Sequence, residues 1–208
     1  VMPAALSPDF RSGIPPRPIV LIGPMAVGKS ALGEALARAL GVAFVDTDQV
    51  VVERHGPIPE LFVSRGERFF REEEARAVAQ VLETHRGEEI VVSLGGGAVL
   101  DSGTQQLLRS CTVVFLEADL ATVFERINRS TGRPLLAGNA AERWQHMADM
   151  RWPVYQRLAD VTLDVRGGGV EDLVRQLRSA LDGHAEALRA KGAGPRDMQQ
   201  NTLTKEQA

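Results

Sequence analysis

The 208-residue chain is 44% hydrophobic with a formal net charge of −3, which suits one domain with a sizeable core. Acids and bases are interspersed, so no basic face advertises nucleic acid, and the four His (55, 85, 146, 184) and single Cys111 are too scattered for a zinc or disulfide framework. No apolar run reaches membrane-span length and no signal-peptide pattern opens the chain, so a monomeric cytoplasmic enzyme with small-molecule partners is expected, with no nucleic-acid or membrane partner.

In chain order, residues 1–17 (VMPAALSPDFRSGIPPR) are rich in Pro and Ser and read as a flexible leader. PIVLIG (18–23) is a short apolar strand, followed by the helical pattern KSALGEALARAL (29–40), where Leu32, Leu36 and Leu40 share a face and Gly41 ends the run. VAFVD (42–46) is a second strand, and a charged helical stretch follows from Gly66 to His85. EEIVVSL (88–94), TVVFLE (112–117) and DVTLDV (160–165) are further strands with helical patterns between and after them. From about 184 the chain turns polar, and 184–208 reads as a tail, with room for a helical stub before a disordered end. Five short apolar strands separated by helices predict a three-layer α/β domain over 18–183 with a parallel sheet, its ligand crevice at the carboxyl ends of the strands.

GPMAVGKS (23–30) sits between the first strand and the first helix and satisfies G-x-x-x-x-G-K-[ST]. Such a loop wraps phosphates in backbone N–H groups and adds the positive end of the helix dipole. Lys29 is the only lysine before the tail, since 21 of the 24 basic residues are Arg and the other lysines are 191 and 205. A nucleoside triphosphate is therefore expected on Ala26, Val27, Gly28, Lys29, Ser30 and Ala31, with Lys29 on the β- and γ-phosphates and the Ser30 hydroxyl on Mg²⁺.

Strands facing a nucleotide phosphate often end in a magnesium-binding aspartate. Here VVSLGGG (91–97) ends in Gly95, Gly96 and Gly97 instead. Two carboxylates close the second strand, Asp46 and Asp48, and in extended backbone residues two apart point the same way. Taken alone, a D-x-D fits a helix cap equally well. The need for a carboxylate near magnesium and the attacked hydroxyl assigns Asp46 to the magnesium shell, through water, and Asp48 to the acceptor's hydroxyls.

These stretches, with IPELFVSRGERFFREEE (58–74) and GRPLL (132–136), occur in the order and spacing found in the shikimate kinases, and residues 18–181 resemble that family. The resemblance implies a P-loop kinase fold with strand order 2-3-1-4-5 and a mobile lid at about 128–141. It implies transfer of the ATP γ-phosphoryl group to the 3-hydroxyl of shikimate, in the chorismate route to aromatic amino acids. It also implies Arg71 and Arg151 on the substrate carboxylate, where a planar guanidinium binds bidentately, with Glu74 orienting one of them. Arg133 corresponds to the lid arginine, Arg126 to a residue that stacks on adenine, and Gly168 to the loop beside adenine. Gly95, Gly96 and Gly97 let backbone approach the substrate, their N–H groups available as donors. Two positions depart from the family pattern: Ala26 stands where Gly is usual, and Ala31 where Thr is usual. Neither D-G-D-x-x-H nor D-G-F-P-R occurs, which argues against the related gluconate and nucleoside monophosphate kinases.

Overall fold

The structure, a computed structural model, describes residues 17–128 and 139–190, without the side chains at 125, 126 and 128. Five strands, β1 (Ile19–Ile22), β2 (Ala43–Asp46), β3 (Ile90–Ser93), β4 (Thr112–Glu117) and β5 (Val161–Asp164), form one sheet in the order β2-β3-β1-β4-β5. All neighbours run parallel. The helices are α1 (Lys29–Leu40), α2 (Thr47–His55), α3 (Ile58–Thr84), α4 (Ser102–Leu107), α5 (Leu120–Asn128), α6 (Ala140–Leu158) and α7 (Val170–Ala190). The predicted fold class and strand order are those observed.

The alternation of side chains along each strand divides the core in two. Ile19 and Leu21 of β1 face a cluster that includes Leu32 and Leu36 of α1 and Leu177 of α7. Val20 and Ile22 face Val78 of α3, Phe115 of β4 and Tyr155 of α6 on the other side. β1 is buried on both faces because it lies in the middle of the sheet. This explains why its sequence is uniformly apolar rather than alternating. A third, smaller cluster joins Val51 of α2 to Leu61, Phe70 and Ala77 of α3, so these helices pack as a unit beside the sheet.

Two helix boundaries differ from the sequence reading. α3 begins at Ile58, not Gly66, and its first two turns precede a break at Gly66, where φ is 81°. Only glycine takes that angle without strain. The break sets the exposed Arg68 and the half-buried Arg71 on a new helical axis. At the other end, α7 runs through position 183 to Ala190 and Ala185 is buried, so the stub expected after 184 is continuous with α7. No described helix is long and apolar enough to cross a membrane.

Candidate active site

The loop after β1 supplies the first part of the site. Gly28 precedes α1 with φ 101°, and no side chain caps the helix, so its first turn presents backbone N–H groups. The Lys29 Nζ donates to the carbonyls of Gly23 at 3.0 Å and Pro24 at 2.9 Å, and the residue is 8% exposed. Val27 is buried, whereas Ala31 is exposed in the first turn of α1. Ala26 has φ 66°, the left-handed conformation that the family's usual glycine accepts and an alanine resists.

The acids come from the end of β2. Asp46 lies opposite Ser93 in the sheet, one strand away from the glycine-ended β3, and its Oδ2 accepts from the Ser30 hydroxyl at 2.5 Å. Its other oxygen accepts the backbone N–H of Asp48 at 2.9 Å, so Asp46 is the N-cap of α2. Asp48 therefore reaches the crevice differently from the expectation. It lies in the first turn of a helix, aimed by the cap, and not two residues along an extended strand. Its Oδ1 is buried and accepts no hydrogen bond among the described residues. Burial first, then the charges of Glu74 and Asp46, push its carboxyl up to about 6, against the pull of Lys29 and Arg71. These influences bring P-loop, β2 end and α3 to one place.

From α3, Arg71 donates to Glu74 at 2.7 Å and Glu67 at 3.2 Å, with its guanidinium 5.1 Å from the Phe70 ring centre. Glu74 is 2% exposed, and burial raises its pKa while Arg71 and Arg151 pull it down. A neighbouring pair, His55 Nε2 and Glu73 Oε2 at 2.7 Å, ties α2 to α3.

The glycine loop closes the crevice, and its composition has a steric cause. A Cβ on Gly95 would stand 2.6 Å from Asp48 Oδ1 and closer still to Glu74, one on Gly97 would collide with the Arg71 guanidinium, and one on Gly96 would meet Met25 N at 3.2 Å. All three carbonyls are engaged: Gly95 by Ala98 N, Gly97 by Leu100 N, and Gly96 by the Tyr155 hydroxyl. The N–H groups of the loop make no hydrogen bonds among the described residues. A cleft of about 580 Å³ opens beside Arg71, Glu74 and Gly97.

α6 contributes Trp144, Ala148, Arg151 and Tyr155 as its buried face. The Trp144 indole donates to the Met25 carbonyl at 2.9 Å. Arg151 and Tyr155 line one small pocket with Pro24, Met25 and Trp144. Tyr155 and Trp144 escaped the sequence reading, although the spacing 144, 148, 151, 155 marks one helix face. Gly168, with φ 90°, lines a cleft of about 450 Å³ with Asp164, Asp172 and Arg175 after β5. Arg133 and residues 129–138 of the expected lid lie outside the described residues, as does the side chain of Arg126.

A hydroxyl and carboxylates at a P-loop, an unpartnered buried carboxylate oxygen and a fixed arginine suit phosphoryl transfer to the hydroxyl of a small acid. Comparison with known proteins agrees. The family described as shikimate kinase matches residues 25–182. The chain is 46% identical over 154 residues to the shikimate kinase of Saccharopolyspora erythraea, covering 73% of this chain and 85% of the relative. It is 38% identical over 165 residues to that of Streptomyces coelicolor, covering 79% and 95%. The shikimate kinase from Acinetobacter baumannii, solved in complex with shikimate, superposes with a TM-score of 0.75 at 28% identity, covering 83% of this chain and 94% of that one. On its sequence and its fold together, the chain belongs to the shikimate kinase family.

Proposed function

We propose that the protein transfers the γ-phosphoryl group of ATP to the 3-hydroxyl of shikimate, giving shikimate 3-phosphate and ADP in the chorismate route to aromatic amino acids. The observation that carries this reading is the position of Asp48, a carboxylate with an unpartnered buried oxygen, influenced at once by Lys29 of the P-loop and Arg71 of α3.

In this reading the backbone from Ala26 to Ala31 cradles the phosphates, and Lys29 leaves the carbonyls of Gly23 and Pro24 for the β- and γ-oxygens. Asp48 holds the acceptor hydroxyl and takes its proton as the bond to phosphorus forms. Arg71, held by Glu74, and Arg151 grip the carboxylate of shikimate, while the free N–H groups of Gly95 to Gly97 donate to its hydroxyls. Arg133, arriving with a lid over about 128–141, meets the charge that spreads over the transferring group. Arg126 and the backbone at Gly168 flank adenine.

The donors at the P-loop fit magnesium. Ser30 and Asp46 offer hard oxygens already in contact, and no cluster of three or more His, Cys, Asp or Glu among the described residues forms a closed metal cage. Magnesium is commonly held in this way, by few protein oxygens together with phosphate. Bound there, the ion would neutralise phosphate charge, with Ser30 coordinating it and Asp46 reaching it through water. Every group assigned to either substrate comes from one chain, and we propose a monomer working in the cytoplasm. Phosphorus NMR of a reaction with ATP, magnesium and shikimate tests the reading. One new phosphate ester at the 3-position is expected, lost on chelation, and an ester at another hydroxyl would refute the assignment.

A further inference from the structure

Tyr155 is the least accessible polar residue of α6, at 0% exposure. Its ring stacks on Phe115 in the middle of the sheet, with centroids 5.2 Å apart and planes 21° apart. The ring therefore has one orientation, and that orientation carries its hydroxyl to the Gly96 carbonyl at 2.5 Å. Burial, the largest influence, pushes the phenol up to about 12. The group is thus a permanent donor across the pH range of an enzyme. Its proton is committed to Gly96, and the nearby Arg151 charge pulls the phenol down against burial. One hydroxyl is therefore bonded to the middle of the glycine loop, and an arginine four residues back on the same helix lines the same small pocket.

Gly96 lies between Gly95, which abuts Asp48 and Glu74, and Gly97, which abuts Arg71. Fixing the Gly96 carbonyl fixes the direction of the adjoining peptide planes. With the Gly95 and Gly97 carbonyls also bonded, the loop's N–H groups are its polar groups without a hydrogen bond among the described residues.

We propose that Tyr155 is a positioning residue for the acceptor, its hydroxyl aiming the glycine-loop N–H groups at a small hydroxylated carboxylic acid. This rests on the functional reading above and extends it to a residue that touches no substrate.

The test is Tyr155→Phe, which keeps the ring and its stack on Phe115 and removes only the hydroxyl. The KM for shikimate should rise about tenfold, as when a buried hydrogen-bond partner is lost. The KM for ATP should stay within twofold, an expectation that treats the two sites as separate. A shikimate KM unchanged in Tyr155→Phe, or equal rises in both KM values, would overturn the proposal. A purely structural role would lower the melting temperature and leave the KM values alone, which also overturns it. Failure of the unmodified protein to phosphorylate shikimate would strike the functional reading instead.

Discussion

The Asp48 carboxylate occupies the space that a side chain on Gly95 would need, with Oδ1 2.6 Å from the position of a Cβ there. Glu74 crowds the same point and is itself bonded to Arg71, so neither carboxylate is a loose chain end. Gly95→Ala should therefore displace both carboxylates. Overpacking of this kind costs about 1–3 kcal/mol. The expected result is a fall in kcat/KM for shikimate larger than the loss in thermal stability alone explains. Kinetics and melting of one preparation check it, and wild-type kinetics would exclude the steric argument.

Asp48 should also set a pH limit. Its folded-state pKa of about 6 lies above the ordinary 3.8, so the folded chain binds this proton more tightly than the unfolded chain. Its contribution to stability consequently declines as pH rises from 3.8 through about 6. Asp48→Asn should melt higher than the unmodified protein at pH 8, the gap closing toward pH 4. The same variant should lose kcat while retaining ATP binding, and the acid limb of kcat/KM near pH 6 should vanish from any residual activity. Thermal melts across pH and a pH–rate profile test both halves.

Arg71 should matter to the charge of the acceptor. Truncating a buried, hydrogen-bonded charge partner costs about 2–5 kcal/mol. Arg71→Ala should weaken shikimate binding in that range and barely alter the weak binding of an analogue lacking the carboxylate. Calorimetric titration of both ligands decides it, and equal losses would refute the pairing.

At Ala26 the effect should be on stability. A non-glycine residue at φ 66° carries left-handed strain of about 1–2 kcal/mol, and a glycine's extra unfolded-state freedom returns about 0.5–1 of it. Ala26→Gly should thus stabilise the fold by up to about 1.5 kcal/mol, or about 3–6 °C in Tm for a chain of this size. An unchanged or lower Tm would mean that the surrounding loop relieves the strain.

The sheet was legible because strand and helix periods are local properties, and the P-loop because its chemistry is contiguous. The site was less so where its cause is long-range. Gly95 to Gly97 stood out as bare backbone, but which side chains fill their Cβ positions depends on α2 and α3 packing, and no local pattern encodes that. Asp48 was read as part of an extended strand but lies in the first turn of α2, because the sequence of β2 does not reveal that Asp46 caps that helix and turns the chain. Tyr155 lies 59 residues from Gly96, its hydrogen-bond partner, and in MRWPVY the charge of Arg151 drew the attention.

The most direct measurement is ADP release by the purified protein in a coupled assay with magnesium and ATP, offering shikimate, gluconate and AMP separately. Release dependent on shikimate, near background with the other two and abolished in Lys29→Ala with the fold intact, is the predicted result. Turnover with gluconate or AMP but not shikimate, or near-normal turnover in Lys29→Ala, would contradict it.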